Sequence, residues 1–190
     1  ARADITNNEA ESNGGGICMI FPGAIKAHGI GTQLLIQGNT AKGKGGGIAA
    51  TDGSILILSA GAHFNVINNT AMKIGGGILL QSQDTRLDVH GDSSQLVIKG
   101  NTALTNGGGV ALQSSSVLRS VSLSKFLNNK AINGNGGALV YDDDQGTQNG
   151  GSNCVRLTLH VKFGGQFDAE YFEIVTIPKS QLSSVDEIEK

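Results

Sequence analysis

The stretch Asn69-Thr70-Ala71-Met72-Lys73-Ile74-Gly75-Gly76-Gly77-Ile78 sets an alanine two residues after an asparagine and a glycine triplet beginning six residues after it. The same order recurs with the asparagine at Asn8, Asn39, Asn101 and Asn129, at successive intervals of 31, 30, 32 and 28 residues. Gly14-Gly15-Gly16-Ile17, Gly45-Gly46-Gly47-Ile48 and Gly107-Gly108-Gly109-Val110 keep the offset, whereas Gly136-Gly137-Ala138-Leu139 comes one residue later. Self-similarity at a fixed period of about 30 residues marks an array in which each repeat is one structural unit.

Upstream of the asparagine, Leu34/Ile36, Phe64/Val66 and Leu96/Ile98 are apolar at alternate positions, weakening to Ser124/Phe126 in the last copy. That is the period of a strand with one buried face. Ser54-Ile55-Leu56-Ile57-Leu58 and Arg86-Leu87-Asp88-Val89-His90 add further runs bounded by turn formers, so each period is read as holding roughly three short strands. A helical solenoid would need 3.6-residue apolar spacing and would lose roughly 1 kcal/mol for every interior glycine. An antiparallel sandwich has no reason to repeat one motif in register. The expected fold is all-β: a parallel β-helix solenoid of about five coils, ~30 residues each, over residues 1–146.

Equivalent residues of such a coil stack about 4.7–4.8 Å apart. Asn8, Asn39, Asn69, Asn101 and Asn129 should then form one column whose amides bond to each other and to turn backbone. Ala10, Ala41, Ala71, Ala103 and Ala131 should fit inside a tight corner. The corner glycines Gly14, Gly15, Gly45, Gly46, Gly75, Gly76, Gly107, Gly108, Gly136 and Gly137 should permit positive φ where the chain enters the next sheet.

These residues resemble the polymorphic outer membrane protein repeat of chlamydiae, marked by a Phe-x-x-Asn and a Gly-Gly-Ala-[Ile/Leu/Val] tetrapeptide. The best match is Phe126-Leu127-Asn128-Asn129 with Gly136-Gly137-Ala138-Leu139. The other copies carry Ile5, Ile36, Val66 and Ile98 for Phe, and Gly16, Gly47, Gly77 and Gly109 for Ala. The resemblance covers residues 5–141 and implies a surface-exposed or secreted β-helical module that mediates adhesion. Similar repeats occur in large extracellular proteins of protists.

Past Tyr141 the period fails. Asp142-Asp143-Asp144 leads into a polar loop, and Val155, Leu157, Leu159, Val161 and Phe163 then alternate with polar residues as in a strand. Tyr171–Ile177 reads as a second strand, so residues 147–178 are expected to form a β-hairpin-like segment covering the open end of the solenoid. Residues 179–190 form a polar tail in which Ser184-Val185-Asp186-Glu187 could cap one helical turn. No matching cap is visible before Ile5, so end-to-end filament assembly is a variant of the structural reading. Because Ala1 starts almost inside a repeat, the chain is read as a fragment or processed product.

Of 190 residues 29 are glycine, about twice the usual ~7% share, and tryptophan is absent. A formal charge of -2 with both signs scattered and no basic stripe argues against a nucleic-acid partner. No segment has the ~18–20 apolar residues that span a bilayer. Asp142, Asp143 and Asp144 are the candidate metal ligands, with calcium the ion such a loop would hold, although no cofactor is expected. Asp84, Asp88, His90 and Asp92 fall within one period, with Asp88 and His90 on an outward strand face. His28, His63 and His160 occupy differing places in their periods, which argues against a shared metal site.

Cys18 and Cys154 are 136 residues apart, about 20 Å along the axis at ~4.8 Å per rung, too far for a disulfide. Cys18 is expected to be a small buried hydrophobe, and Cys154 to pair with a thiol elsewhere if the protein is secreted. Asn68-Asn69-Thr70 matches an N-glycosylation acceptor at Asn68. Thr40, Thr70 and Thr102 would stack in a short row of the kind ice-binding β-helices use, interrupted by Glu9 and Lys130.

The function expected is a non-catalytic structural or adhesive module of an extracellular or cell-surface protein. Its partners would be other protein chains, further repeats of the same protein, or a host-surface or glycan ligand. The rival is a glycan-active β-helix enzyme or carbohydrate-binding module using the acids at 84–92 or 142–144.

Overall fold

The computed structural model describes residues 1–120, 122–142, 156–160 and 171–175. The first coil contains β1 (Arg2–Thr6), β2 (Glu9–Ala10), β3 (Ile17–Met19) and β4 (Ala24–His28). The second contains β5 (Gln33–Gln37), β6 (Thr40–Ala41), β7 (Ile48–Ala50) and β8 (Ile55–Ser59). The third contains β9 (His63–Ile67), β10 (Thr70–Ala71), β11 (Ile78–Gln81) and β12 (Arg86–Val89). The fourth contains β13 (Gln95–Lys99), β14 (Thr102–Ala103), β15 (Val110–Gln113) and β16 (Val117–Ser120). A fifth opens with β17 (Leu123–Leu127), β18 (Lys130–Ala131) and β19 (Leu139–Asp142).

Strands pair only with their counterparts one coil away, and all these pairings are parallel. Four sheets therefore run along the axis: β1-β5-β9-β13-β17, β2-β6-β10-β14-β18, β3-β7-β11-β15-β19 and β4-β8-β12-β16. The molecule is an all-β solenoid of four complete turns entering a fifth.

Each turn has four strands where the sequence pattern predicts three. The additional one is the two-residue strand at Asn-x-Ala, too short to show a period of two. It stays extended because Thr40 N donates to Asn8 O and Lys42 N to Ala10 O, each at 2.9 Å. Only its alanine faces the lumen, where Ala41, Ala71 and Ala103 are fully buried.

Leu34, Ile36, Phe64, Val66, Leu96 and Ile98 from the first sheet meet Ile48, Ile78, Leu80 and Leu112 from the third and Leu56, Leu58, Leu87 and Leu118 from the fourth in one continuous core. A second cluster lies outside the third sheet, where Ala49, Leu79 and Ala111 pack with Ile74 and Val140. The glycine-bearing segment folds back over this face: a Cβ on Gly75 would lie 3.1 Å from the Leu79 Cβ. Burial on both faces explains why Ile78-Leu79-Leu80 is an unbroken apolar run.

β20 (Arg156–His160) pairs antiparallel with β21 (Tyr171–Val175), Arg156 opposite Val175, and β20 lies beside β16 and β17. The segments joining them, the boundaries near 147 and 178, Cys154 and the Ser184–Glu187 stretch lie outside the described residues.

Candidate functional site

The asparagines form a hydrogen-bonded ladder on the inner edge of the corner between the first two sheets. Asn39 Nδ2 donates to Ile5 O of the coil beneath at 2.9 Å and to Asn69 Oδ1 of the coil above at 3.0 Å. Asn39 Oδ1 in turn accepts from Asn8 N and Asn8 Nδ2, each at 2.9 Å. Asn69 and Asn101 repeat the pattern, donating to Ile36 O and Val66 O below and to Asn101 Oδ1 and Asn129 Oδ1 above. Both amide hydrogens and both acceptor positions are thereby used inside the protein. Asn39, Asn69 and Asn101 are fully buried, Asn129 is half-buried and Asn8 is exposed.

Among the corner glycines, positive φ belongs to the first of each triplet, as at Gly45 (φ 67°) and Gly75 (φ 69°). The second and third serve close approach instead. A Cβ on Gly46 would collide with Gly76 O, and one on Gly77 would stand 2.6 Å from Gly109 O. Conformational freedom and the absence of a side chain are thus separate requirements placed on adjacent residues.

The other corners are held by hydroxyls to which the sequence motif gave no role. Ser54, Thr85 and Ser116 are buried in one row before the fourth sheet, and Ser94 is buried before β13 of the first. Ser54 Oγ donates to Phe21 O at 2.9 Å, Ser116 Oγ donates to Leu80 O at 2.8 Å, and Thr85 Oγ1 accepts from Gly53 N at 3.0 Å. Their signal was a Ser or Thr standing directly before β8, β12 and β16, a place that Gly23 takes before β4.

The residues carrying reactive chemistry are scattered over the outer faces. Asp88 projects outward from β12, where Arg86 Nε bonds its Oδ2 at 2.9 Å. Its Oδ1 is buried and has no hydrogen-bond partner among the described residues. Asp84, His90 and Asp92 are exposed. A shallow depression of about 430 Å³ is lined by Gln83, Asp84, Thr85, Arg86, Ser115 and Val117. His28 and His90 belong to one outward row with Ser59 between them, and His28 Nδ1 lies 2.9 Å from Ser59 Oγ. His63 stands apart on the first sheet.

Among the described residues no group of three or more His, Cys, Asp or Glu is placed to hold a metal ion. Asp143 and Asp144 lie outside those residues, and of Asp142 only the backbone is described, at the end of β19. The Arg2 guanidinium is pushed further toward its charged form, first by a hydrogen bond to Asp4 and then by that carboxylate's charge.

Cys18 is exposed, not buried. It stands in the row of Ala49, Leu79 and Ala111, which are at most 1% exposed, but on the edge strand of its sheet. Asn68 is exposed in a left-handed conformation (φ 53°), its side-chain oxygen against Gly100. Thr40, Thr70 and Thr102 stack half-buried, flanked in register by Glu9 and Lys130. No helix among the described residues is long and apolar enough to cross a membrane, which says nothing about a β-barrel.

Residues 33–51, from the start of β5 through the second glycine triplet to Thr51, match the Chlamydia polymorphic membrane protein (Chlamydia_PMP) repeat. Over these residues the chain is similar to that repeat. The matched stretch contains Ile36, Asn39 and Gly45–Ile48, the residues that build one rung of the ladder and its glycine corner. No curated protein and no solved structure matches the chain.

Proposed function

We infer that the chain is a non-catalytic, rigid structural and adhesive segment of a surface-associated protein, located extracellularly or at the cell surface. Its outward rows would meet other protein chains, a host surface or a glycan. The observation that carries this reading is the division of labour within the repeat. Residues that recur, the Asn column and the glycine corners, are consumed by stacking one coil on the next. Residues that change from coil to coil face outward, as in the first-sheet rows Gln33-His63-Gln95 and Leu35-Asn65-Val97. The polymorphic membrane protein repeat supports a surface setting.

Beads coated with the chain should bind cultured cells or an arrayed glycan. Combined changes at Gln33, His63 and Gln95 should weaken that binding without altering the melting temperature. Binding that follows neither the outward rows nor any other face of the folded rod would refute the reading.

A second reading, a glycan-active site, is favoured by the depression beside Asp84 and by the buried unpaired oxygen of Asp88. Polysaccharide turnover that disappears in Asp84→Asn or Asp88→Asn would establish it in place of the first.

A further inference from the structure

β1, β2, β3 and β4 are edge strands of all four sheets, and the groups they present differ from those inside the stack. Asn8 Nδ2 donates only to Asn39 Oδ1, and among the described residues Asn8 Oδ1 accepts no hydrogen bond. Gln33 N and His63 N donate to Ala1 O and Thr32 O of the coil beneath at 2.8 and 2.9 Å, and Thr40 N and Thr70 N to Asn8 O and Asn39 O at 2.9 Å. Arg2 and Glu9 occupy these rows on the edge, so their amides point out of the stack. In the same coil Ile20, Phe21 and Ile30 are 54%, 75% and 92% exposed.

Two rows dictate what can lie beneath. A Cβ on the third triplet residue, Gly16, Gly47 or Gly77, would stand 2.9, 2.7 or 2.6 Å from the carbonyl oxygen of Gly47, Gly77 or Gly109 in the coil above. Gly16 O holds the same place for whatever lies below the first coil, so glycine is the third triplet residue that fits there without a shift of either backbone. The row just before the Asn column runs Asn7, Gly38, Asn68, Gly100, Asn128, all left-handed with φ of 56°, 67°, 53°, 66° and 54°. The Asn7 and Asn68 side-chain oxygens occupy the space that a Cβ on Gly38 or Gly100 would need. Asparagine therefore cannot stand over asparagine unless the lower one turns away, and the residue beneath Asn7 should be glycine.

The geometry points to the β1–β4 end as a docking face for one further coil of defined type: Gly-Asn-x-Ala followed by Gly-Gly-Gly. The second and fourth coils are of this type, with Gly38-Asn39-Thr40-Ala41 and Gly45–Gly47, and with Gly100-Asn101-Thr102-Ala103 and Gly107–Gly109. The fifth is not. It carries Asn128 and Ala138, and the Ala138 methyl would strike Gly16 O, a backbone atom that cannot rotate aside. The chain's own last coil is thus excluded from the face at its beginning, and clash supplies the selectivity. The inference rests on the stack alone and stands whichever ligand the outer faces bind.

The test joins a copy of residues 32–62 directly ahead of Arg2 of the full chain, where its Ala62 leads into Arg2 as it otherwise leads into His63. Hydrogen exchange at the Arg2 and Glu9 amides should slow by about tenfold or more, and the melting temperature should rise. The same copy with Gly38→Asn and Gly47→Ala should do neither. The unextended chain should sediment as a monomer at all concentrations. Fast exchange with the matched copy, equal protection by the mismatched copy, or concentration-dependent polymers of the unextended chain would each overturn the proposal.

Discussion

The amide of Asn69 connects three coils: it donates to Ile36 O below and Asn101 Oδ1 above, while its oxygen receives Asn39 N and Asn39 Nδ2. Asn69→Leu would strand several of these groups in a buried corner, at ~1–3 kcal/mol for each left unsatisfied. Asn65→Ala, on the outward face of the neighbouring strand, should stay within about 0.5 kcal/mol. Urea titrations should separate the two variants, and equal midpoints would deny the ladder its role in stability. Position within the triplet matters in the same way. Gly77→Ala drives a methyl toward Gly109 O and should cost ~1–3 kcal/mol as overpacking. Ala138→Gly, at an exposed position, should cost at most about 1 kcal/mol, the conformational freedom of glycine alone. Scanning calorimetry that ranks these two in the opposite order would contradict the steric account. The column and the corner were legible because their residues recur at a fixed interval. Cys18 was misread because its row is buried everywhere except on the edge strand, and a pattern of residue types does not show where a stack ends. The Ser54, Thr85 and Ser116 row was missed because serine and threonine are interchangeable at that corner and common in every loop.

At the scale of elements, the third sheet departs most from what alternation leads one to expect. Its outward residues should face solvent, yet Leu79 and Ala111 are fully buried beneath the returning glycine segment with Ile74. Leu79→Ala should therefore cost ~2–5 kcal/mol, as much as truncating the lumen residue Leu80. If the outer cluster contributed nothing, the first change would be nearly silent and the two melting temperatures would differ widely. Lys44, whose Nζ donates to Gln113 Oε1 two coils further on at 3.2 Å, runs along this same side of the rod. The strand count was legible only in part. A five-residue strand shows its period, whereas Thr70-Ala71 has one outward and one inward residue and is made a strand by its neighbours, through Thr70 N to Asn39 O and Met72 N to Ala41 O. Such a strand exists only in the stack, which is why a single copy of the motif could not reveal it.

For the whole molecule, among the described residues the strands of each coil pair only with those of the coils beside it, while the Lys44–Gln113 bond reaches two coils, so stability should be close to a sum of unit and neighbour terms that weakens toward an end. The ladder offers a probe of this because Asn8, Asn39, Asn69 and Asn101 each donate their backbone N–H to the next side-chain oxygen, at 2.9, 2.9, 2.9 and 3.0 Å. Bond geometry being the same, any difference in amide exchange must come from the free energy needed to open the coil. Asn69, with complete coils on both sides, should exchange most slowly, and Asn8, whose coil provides the edge strand of every sheet, much faster. Weakening the third coil with Phe64→Ala, a fully buried side chain worth ~3–5 kcal/mol, should lower protection at Asn39 and Asn101 more than at Asn8, because the loss passes to adjacent coils first. Uniform exchange at all four amides would mean that the rod opens as one unit. The nearest-neighbour description would then fail, although each local contact would stand as described.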